Sequence, residues 1–257
     1  MLTCNYINGV TPNTVSGGSN QFSLFDIKGK VALVSGGGSG IGLGISAALI
    51  KHGAKVYICS RDFKKCEATA QELTKIGPGT CIAIAADISK VDQLVWFGLV
   101  NNSGCNWAAE LEEFPDSGWD KVMNLNVKAV FNLTVACLPL LRVKATNADP
   151  SRVINIGSID GIRIPSLDTY SYSASKAAVH QLTKTLANRL AHENITVNAI
   201  AAGPFMSKMT KVTFEKFHDA VTASVALGRM GDNEDLEGIT IFLSSKARWR
   251  EEFGAQI

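Results

Sequence analysis

The sequence predicts a doubly wound α/β domain built on a parallel sheet, and three observations predict it. Short, apolar, β-branched runs alternate with helical stretches along the chain. The first of those runs ends in a cluster of glycines that opens the first helix. The 257 residues suit one α/β domain, and nothing in the pattern marks a second core.

Residues 1–22 are polar and turn-rich, and Gly17-Gly18-Ser19-Asn20 gives them the character of a flexible leader. The domain proper is expected over 23–257. The pattern predicts a strand over 30–35, a helix over 40–52, a strand over Lys55–Cys59 and a helix over 62–76, closed by Gly77-Pro78-Gly79. A third strand follows over 81–86 and a fourth over 99–102. Next comes a long apolar helix at 120–142. Strands at 152–156 and Ile195–Ile200 then enclose a helix at 172–191. Crossovers in such a sheet are right-handed, and ligands bind at the carboxyl ends of the strands near the switch point.

Composition removes several function classes. Lys and Arg total 25 against 23 Asp and Glu, so no basic field favours nucleic acid. The longest uninterrupted apolar runs, such as 31–34 and 82–86, are too short to span a bilayer. Residues 1–25 carry no charge, unlike a signal or transit peptide, so a cytoplasmic location without membrane partners is expected. The six cysteines form no C-x-x-C pair and no metal-like spacing with the four histidines. No metal is expected.

The segment Ser35-Gly36-Gly37-Gly38-Ser39-Gly40-Ile41-Gly42 runs from strand to helix. Its spaced glycines Gly36, Gly40 and Gly42 permit a tight turn and close approach to a pyrophosphate. The N–H groups of the helix start, at Gly38 to Gly42, then face the anion. At the end of the second strand stand Cys59-Ser60-Arg61, where an acidic residue would favour NAD. Ser60 does not repel a 2′-phosphate, and Arg61 can pair with one. NADP(H) is the expected cofactor, with a solvated surface arginine as the plainer reading of Arg61. Asp87, with Ile88 beside it, is placed to meet the adenine edge; an ordinary turn aspartate is the alternative.

Tyr172-Ser173-Ala174-Ser175-Lys176 sets a phenol and an ammonium four residues apart on one helix face. A nearby cation favours the phenolate and lowers its pKa, which would make Tyr172 a usable general acid. Tyr170 has Ala174 four residues on and lacks such a partner. Ser158 follows the strand at 152–156, so its hydroxyl can reach a substrate carbonyl at the sheet edge. Asn126 is a polar amide inside an apolar helix. Either it satisfies a local backbone group or it holds a water that feeds protons to the Lys–Tyr pair.

In their order, the glycine motif, Asn101-Asn102-Ser103-Gly104, Asn126, Ser158, Tyr172/Lys176 and Ala202-Gly203-Pro204 resemble the short-chain dehydrogenases/reductases. The resemblance covers about 25–245 and implies a Rossmann-type sheet. The stretches around 106–132 and 155–172, and the run 201–210, are similar to 3-oxoacyl-[acyl-carrier-protein] reductases linked to rhamnolipid synthesis. It implies that Tyr172 gives the proton and that Lys176 binds the nicotinamide ribose and lowers the Tyr172 pKa. It also implies that Ser158 positions the carbonyl and Asn126 supports a proton relay, while Asn101 and Gly203 join the cofactor contacts. The implied activity is NADPH-dependent reduction of a ketone, a 3-oxoacyl thioester foremost.

The chain departs from that family pattern in places. Ser103 stands for the usual Ala and Ala202 for the usual Pro. From Asp87 to Phe97 only eleven residues remain for a crossover, where a parallel connection needs about a dozen or more. The segment 248–257 has no period-two pattern, so a C-terminal edge strand is expected to be missing. Homo-oligomers are implied by the resemblance. With both segments reduced, a weak dimer or an aggregation-prone chain is expected here. A catalytically weak dinucleotide-binding protein, acting as sensor or inactive partner subunit, is the rival reading.

Overall fold

The computed structural model describes residues 24–84, 98–165, 167–206, 222 and 225–247. Among the described residues six parallel strands form one sheet: β1 Val31–Ser35, β2 Lys55–Cys59, β3 Thr80–Ile84, β4 Gly98–Asn101, β5 Ser151–Ile156 and β6 Ile195–Ile200. Their order across the sheet is β3-β2-β1-β4-β5-β6. The winding direction therefore reverses between β1 and β4, and a crevice opens beyond their carboxyl ends.

Strand residues alternate between two apolar layers, as the pleat requires. Ala32, Val34, Val56, Ile58, Val100, Ile154, Ile156 and Ile200 pack on one face. That face is covered by α1 Gly40–Lys51, α2 Phe63–Thr74 and α6 Asn233–Ser244. Leu33, Tyr57, Leu99, Val153, Ile195 and Val197 point to the other face, toward Cys137, Leu141, Leu186 and Leu190. Those four lie on α4 Ala129–Arg142 and α5 Tyr170–Leu190.

Helix ends follow local chemistry. The Asp62 side chain accepts from the Lys65 N–H at 3.1 Å and starts α2 one residue later than the pattern suggests. Asp232 and Asp235 form a reciprocal capping box at the start of α6, an element that periodicity alone did not flag. The expected long helix begins earlier, at α3 Asp116–Met123, and reaches α4 through a π-type turn at Asn124–Lys128. Similarly, α5 begins two residues before Tyr172.

Over its 27 residues the stretch Asp116–Arg142 is apolar enough to cross a membrane by length and composition alone. In the fold, Val122, Val130, Thr134, Cys137 and Leu141 are buried along it, while Phe131 and Val135 face outward. The proposed leader, Asp87 and Ile88, the short crossover before β4 and the segment 248–257 lie outside the described residues. Among the described residues β6 is one edge of the sheet.

Candidate active site

The glycine loop joins β1 to α1 and is clamped from β4. Ser35 ends β1 opposite Cys59, the last residue of β2. Its Oγ accepts from the N–H groups of Asn102 at 3.0 Å and Ser103 at 3.1 Å. In return, Asn102 Nδ2 donates to the carbonyls of Ser35 at 3.0 Å and Gly36 at 3.2 Å. Gly36 adopts φ +65°, a left-handed turn that favours glycine. At Gly42 a Cβ would stand 2.4 Å from Asn102 Nδ2 and 2.5 Å from the Gly36 carbonyl, so the loop closes only without a side chain there.

These features fit a dinucleotide phosphate. The side chain of Ser39, the N-cap of α1, makes no cap bond, and no acidic residue stands in the first turn. A Cβ on Gly38 would make only ordinary contact with Thr69, at 3.9 Å. Ser60 and Arg61 follow β2 directly, with the Arg61 side chain exposed. The neighbouring carboxylate of Asp62 is turned to its own helix N-terminus. Among the described residues directly after β2, Ser60 and Arg61 carry no negative charge to oppose a 2′-phosphate.

Asn101 is the last residue of β4. Its side chain is buried below the cleft and donates to Thr134 Oγ1 at 3.0 Å and Asn155 Oδ1 at 2.8 Å. Asn155 continues the row by donating to Thr183 Oγ1 at 2.9 Å. This polar row ties β4 and β5 to α4 and α5. Asn102, the neighbouring residue, does the work at the glycine loop.

Across the crevice, Ser158 leaves β5 and caps the short turn Ile159–Gly161, its Oγ accepting from the Asp160 N–H at 3.1 Å. The Tyr172 hydroxyl lies within reach of the Ser158 side chain. Lys176 Nζ donates to the Ile156 carbonyl at 2.7 Å and lies 5.5 Å from the centre of the Tyr172 ring. Ser158, Tyr172 and Lys176 thus converge at the carboxyl end of β5. Gly203 follows β6 nearby, 4.0 Å from Ile159 Cδ1 when a Cβ is built on it.

Burial sets the electrostatics of this cluster. It pushes the Tyr172 phenol above its ordinary value, the Ser158 hydrogen bond opposes that rise, and Asp160 adds to it. Burial also depresses Lys176 to about 8. The net shift of the phenol is therefore upward, with burial its largest cause, where the spacing alone predicts a lowering. The Lys176 ammonium is bonded to the Ile156 carbonyl and lies over the ring face.

Asn126 sits within the π-type turn and is 1% exposed. Its Oδ1 accepts from the Cys105 N–H at 2.9 Å, and its Nδ2 donates to the Cys105 carbonyl at 3.0 Å and to Ser175 Oγ at 2.9 Å. Ser175 in turn donates to the Tyr172 carbonyl at 2.7 Å. The amide satisfies local groups, the first of the two readings open from sequence. In doing so it links the chain beyond β4 to the start of α5. π-type turns inside helices often mark functional sites.

Comparison with known proteins decides the family. Residues 30–217 match the model of the short chain dehydrogenase family. The chain belongs to the short-chain dehydrogenases. Among its relatives is the rhamnolipids biosynthesis 3-oxoacyl-[acyl-carrier-protein] reductase of Pseudomonas aeruginosa. It is 42% identical over 237 residues, covering 87% of this chain and 92% of that one. A 3-oxoacyl-[acyl-carrier-protein] reductase of Thermotoga maritima is 32% identical, covering 85% and 92%. In structure, this short-chain dehydrogenase is similar to the Pseudomonas aeruginosa RhlG/NADP active-site complex. The TM-score is 0.82 at 41% identity, with 88% of this chain and 93% of that one covered. The motif order and the parallel sheet thus lead to the same family.

Two site features escaped sequence reasoning. One is the Asn102–Ser35 clamp, the other His180, whose Nε2 lies 3.0 Å from the Ser158 carbonyl. Its signal was present: His180 follows Lys176 by four residues on one helix.

Proposed function

We propose that this chain is an NADPH-dependent reductase of ketones, with a 3-oxoacyl thioester as substrate. The observation that carries the reading is the convergence of Ser158, Tyr172 and Lys176 at the strand end beside a glycine loop suited to phosphate. Two similar proteins, a 3-oxoacyl-[acyl-carrier-protein] reductase and an NADP complex, support it.

The glycine loop and the N-terminus of α1 would hold the pyrophosphate, Arg61 the 2′-phosphate and Lys176 the nicotinamide ribose. When bound, the dinucleotide supplies the hydride that the carbonyl carbon takes up. The substrate oxygen accepts hydrogen bonds from Ser158 Oγ and Tyr172 Oη, which concentrate on the charge that develops there. Tyr172 then gives its proton to that oxygen, completing the alcohol. A phenol held protonated by burial suits this role, since it must carry a proton until the oxygen becomes basic. The Lys176 charge above the ring stabilises the phenolate left behind. Asn126, through Ser175, holds the backbone of Tyr172 in place.

A second copy of this chain is the partner we propose for the outward side of α4. Phe131 and Val135 there are each 45% exposed. Removal of that apolar area from water would favour association.

Oxidation of NADPH in the presence of 3-oxoacyl-coenzyme A, measured beside NADPH binding by fluorescence, tests the reading. Thioester-dependent oxidation is expected. Tight binding without turnover would favour a dinucleotide sensor instead.

A further inference from the structure

Tyr172, Lys176 and His180 follow one another at four-residue intervals on α5 and so share a helix face. The first two meet the reaction centre directly. His180 is 6% exposed and reaches the same strand end from below. Its Nε2 is 3.0 Å from the main-chain carbonyl of Ser158. A carbonyl only accepts, so this contact requires the tautomer that carries hydrogen on Nε2.

The surroundings are shaped to the ring. A Cβ on Gly157 would stand 2.3 Å from His180 Cε1, and one on Gly161 would stand 3.0 Å from His180 Cδ2. Gly161 would also meet the backbone of Lys176 and Ala177 at 2.6 and 2.7 Å. Two glycines on either side of Ser158 therefore let the imidazole slide beneath it. The other bonds nearby fix the chain on each side: Gly157 N–H donates to Ile200 at 2.9 Å and Ile159 N–H to Ala202 at 3.1 Å. Within this stretch, the Ser158 carbonyl is the point held by His180, and it also accepts from the Gly161 N–H at 3.0 Å.

We infer that His180 is a positioning residue, whose Nε2–H bond to the Ser158 carbonyl aims Ser158 Oγ at the substrate oxygen. A hydroxyl that must bind a developing oxyanion is sensitive to small displacements, and its direction is set by the main chain that carries it. This inference rests on the reductase reading given above.

The test is a double-mutant cycle with a direct look at the ring. His180→Leu keeps an apolar side chain of useful size but no donor. It should lower kcat by about tenfold or more, while NADPH affinity stays within about twofold. His180→Gln presents an amide N–H near the place of Nε2 and should restore most of that loss. In a Ser158→Ala background, His180→Leu should cost little further, because the hydroxyl it aims is gone. An undiminished kcat in His180→Leu, or an equal additional loss in the Ser158→Ala background, overturns the inference. Nitrogen NMR of the wild-type imidazole supplies a readout independent of turnover and of variant folding. The Nε2–H tautomer is required, and an Nδ1–H tautomer overturns the inference. A wild-type protein inactive on every ketone probe would sink the reductase reading instead, and the tautomer would still decide the hydrogen bond.

Discussion

The ammonium of Lys176 donates to the carbonyl of Ile156 at 2.7 Å while buried against the Tyr172 ring. Burial depresses it from the ordinary 10.5 to about 8. A lysine with a lowered folded pKa destabilises the fold in full below pH 8, where both states are charged. That penalty fades between pH 8 and 10.5, because the folded protein has lost the proton and the unfolded chain still binds it.

Lys176→Met should therefore stabilise the cofactor-free protein near pH 7. The pKa shift corresponds to about 3 kcal/mol, and loss of the donor to Ile156 offsets about 1 kcal/mol of that. Urea unfolding at several pH values checks this. The gain should hold constant below pH 8 and shrink toward pH 10.5, and a pH-independent difference would contradict it. Turnover should be lost in the same variant.

Arg61 is exposed directly after β2. Arg61→Ala should weaken NADPH by about 1–3 kcal/mol, the range for a hydrogen bond to a charged group. NADH binding should barely change. Titration of both cofactors by fluorescence decides it, and equal losses would show that Arg61 does not meet the 2′-phosphate.

The Asn102 clamp gives a prediction for a residue whose side chain sits beside the cofactor loop. Asn102→Ala removes the donors to Ser35 and Gly36 and frees the turn. NADPH affinity should fall about tenfold, in line with about 1.4 kcal/mol for one well-placed pair of bonds. Calorimetric titration measures it. Unchanged affinity would mean that the loop holds its shape without the clamp.

Much of this was legible in the sequence, and the misses have physical causes. The strands, the glycine loop and the Tyr172–Lys176 spacing are local patterns, and they folded where local patterns place them. Asn101 and Asn102 were not separable in that way. The strand ending at Asn101 is buried on both faces, so no alternation reveals which side chain enters the crevice. Pairing with Asn155 turns Asn101 inward, and that pairing lies 54 residues away. The π-type turn around Asn126 has no sequence signature. The Tyr172 pKa depends on burial by distant elements, which spacing cannot report.

Assembly follows from the outward apolar side of α4. We expect a weak dimer at micromolar protein, because Phe131 and Val135 offer only a modest apolar area and area converts to affinity only in part. Light scattering after size exclusion reads the mass. A dilution-resistant tetramer would show that the interfaces are stronger than this reasoning allows.

The proton donor is the centre of the proposed mechanism, and Tyr172→Phe tests it most directly. NADPH binding should be nearly unchanged, because in the proposed mechanism the phenol hydroxyl meets substrate more than cofactor. NADPH oxidation with 3-oxoacyl-coenzyme A should slow by about a hundredfold or more, the usual contribution of a general acid. A variant that keeps more than about half of wild-type turnover would contradict the assignment of Tyr172 as the group that protonates the substrate.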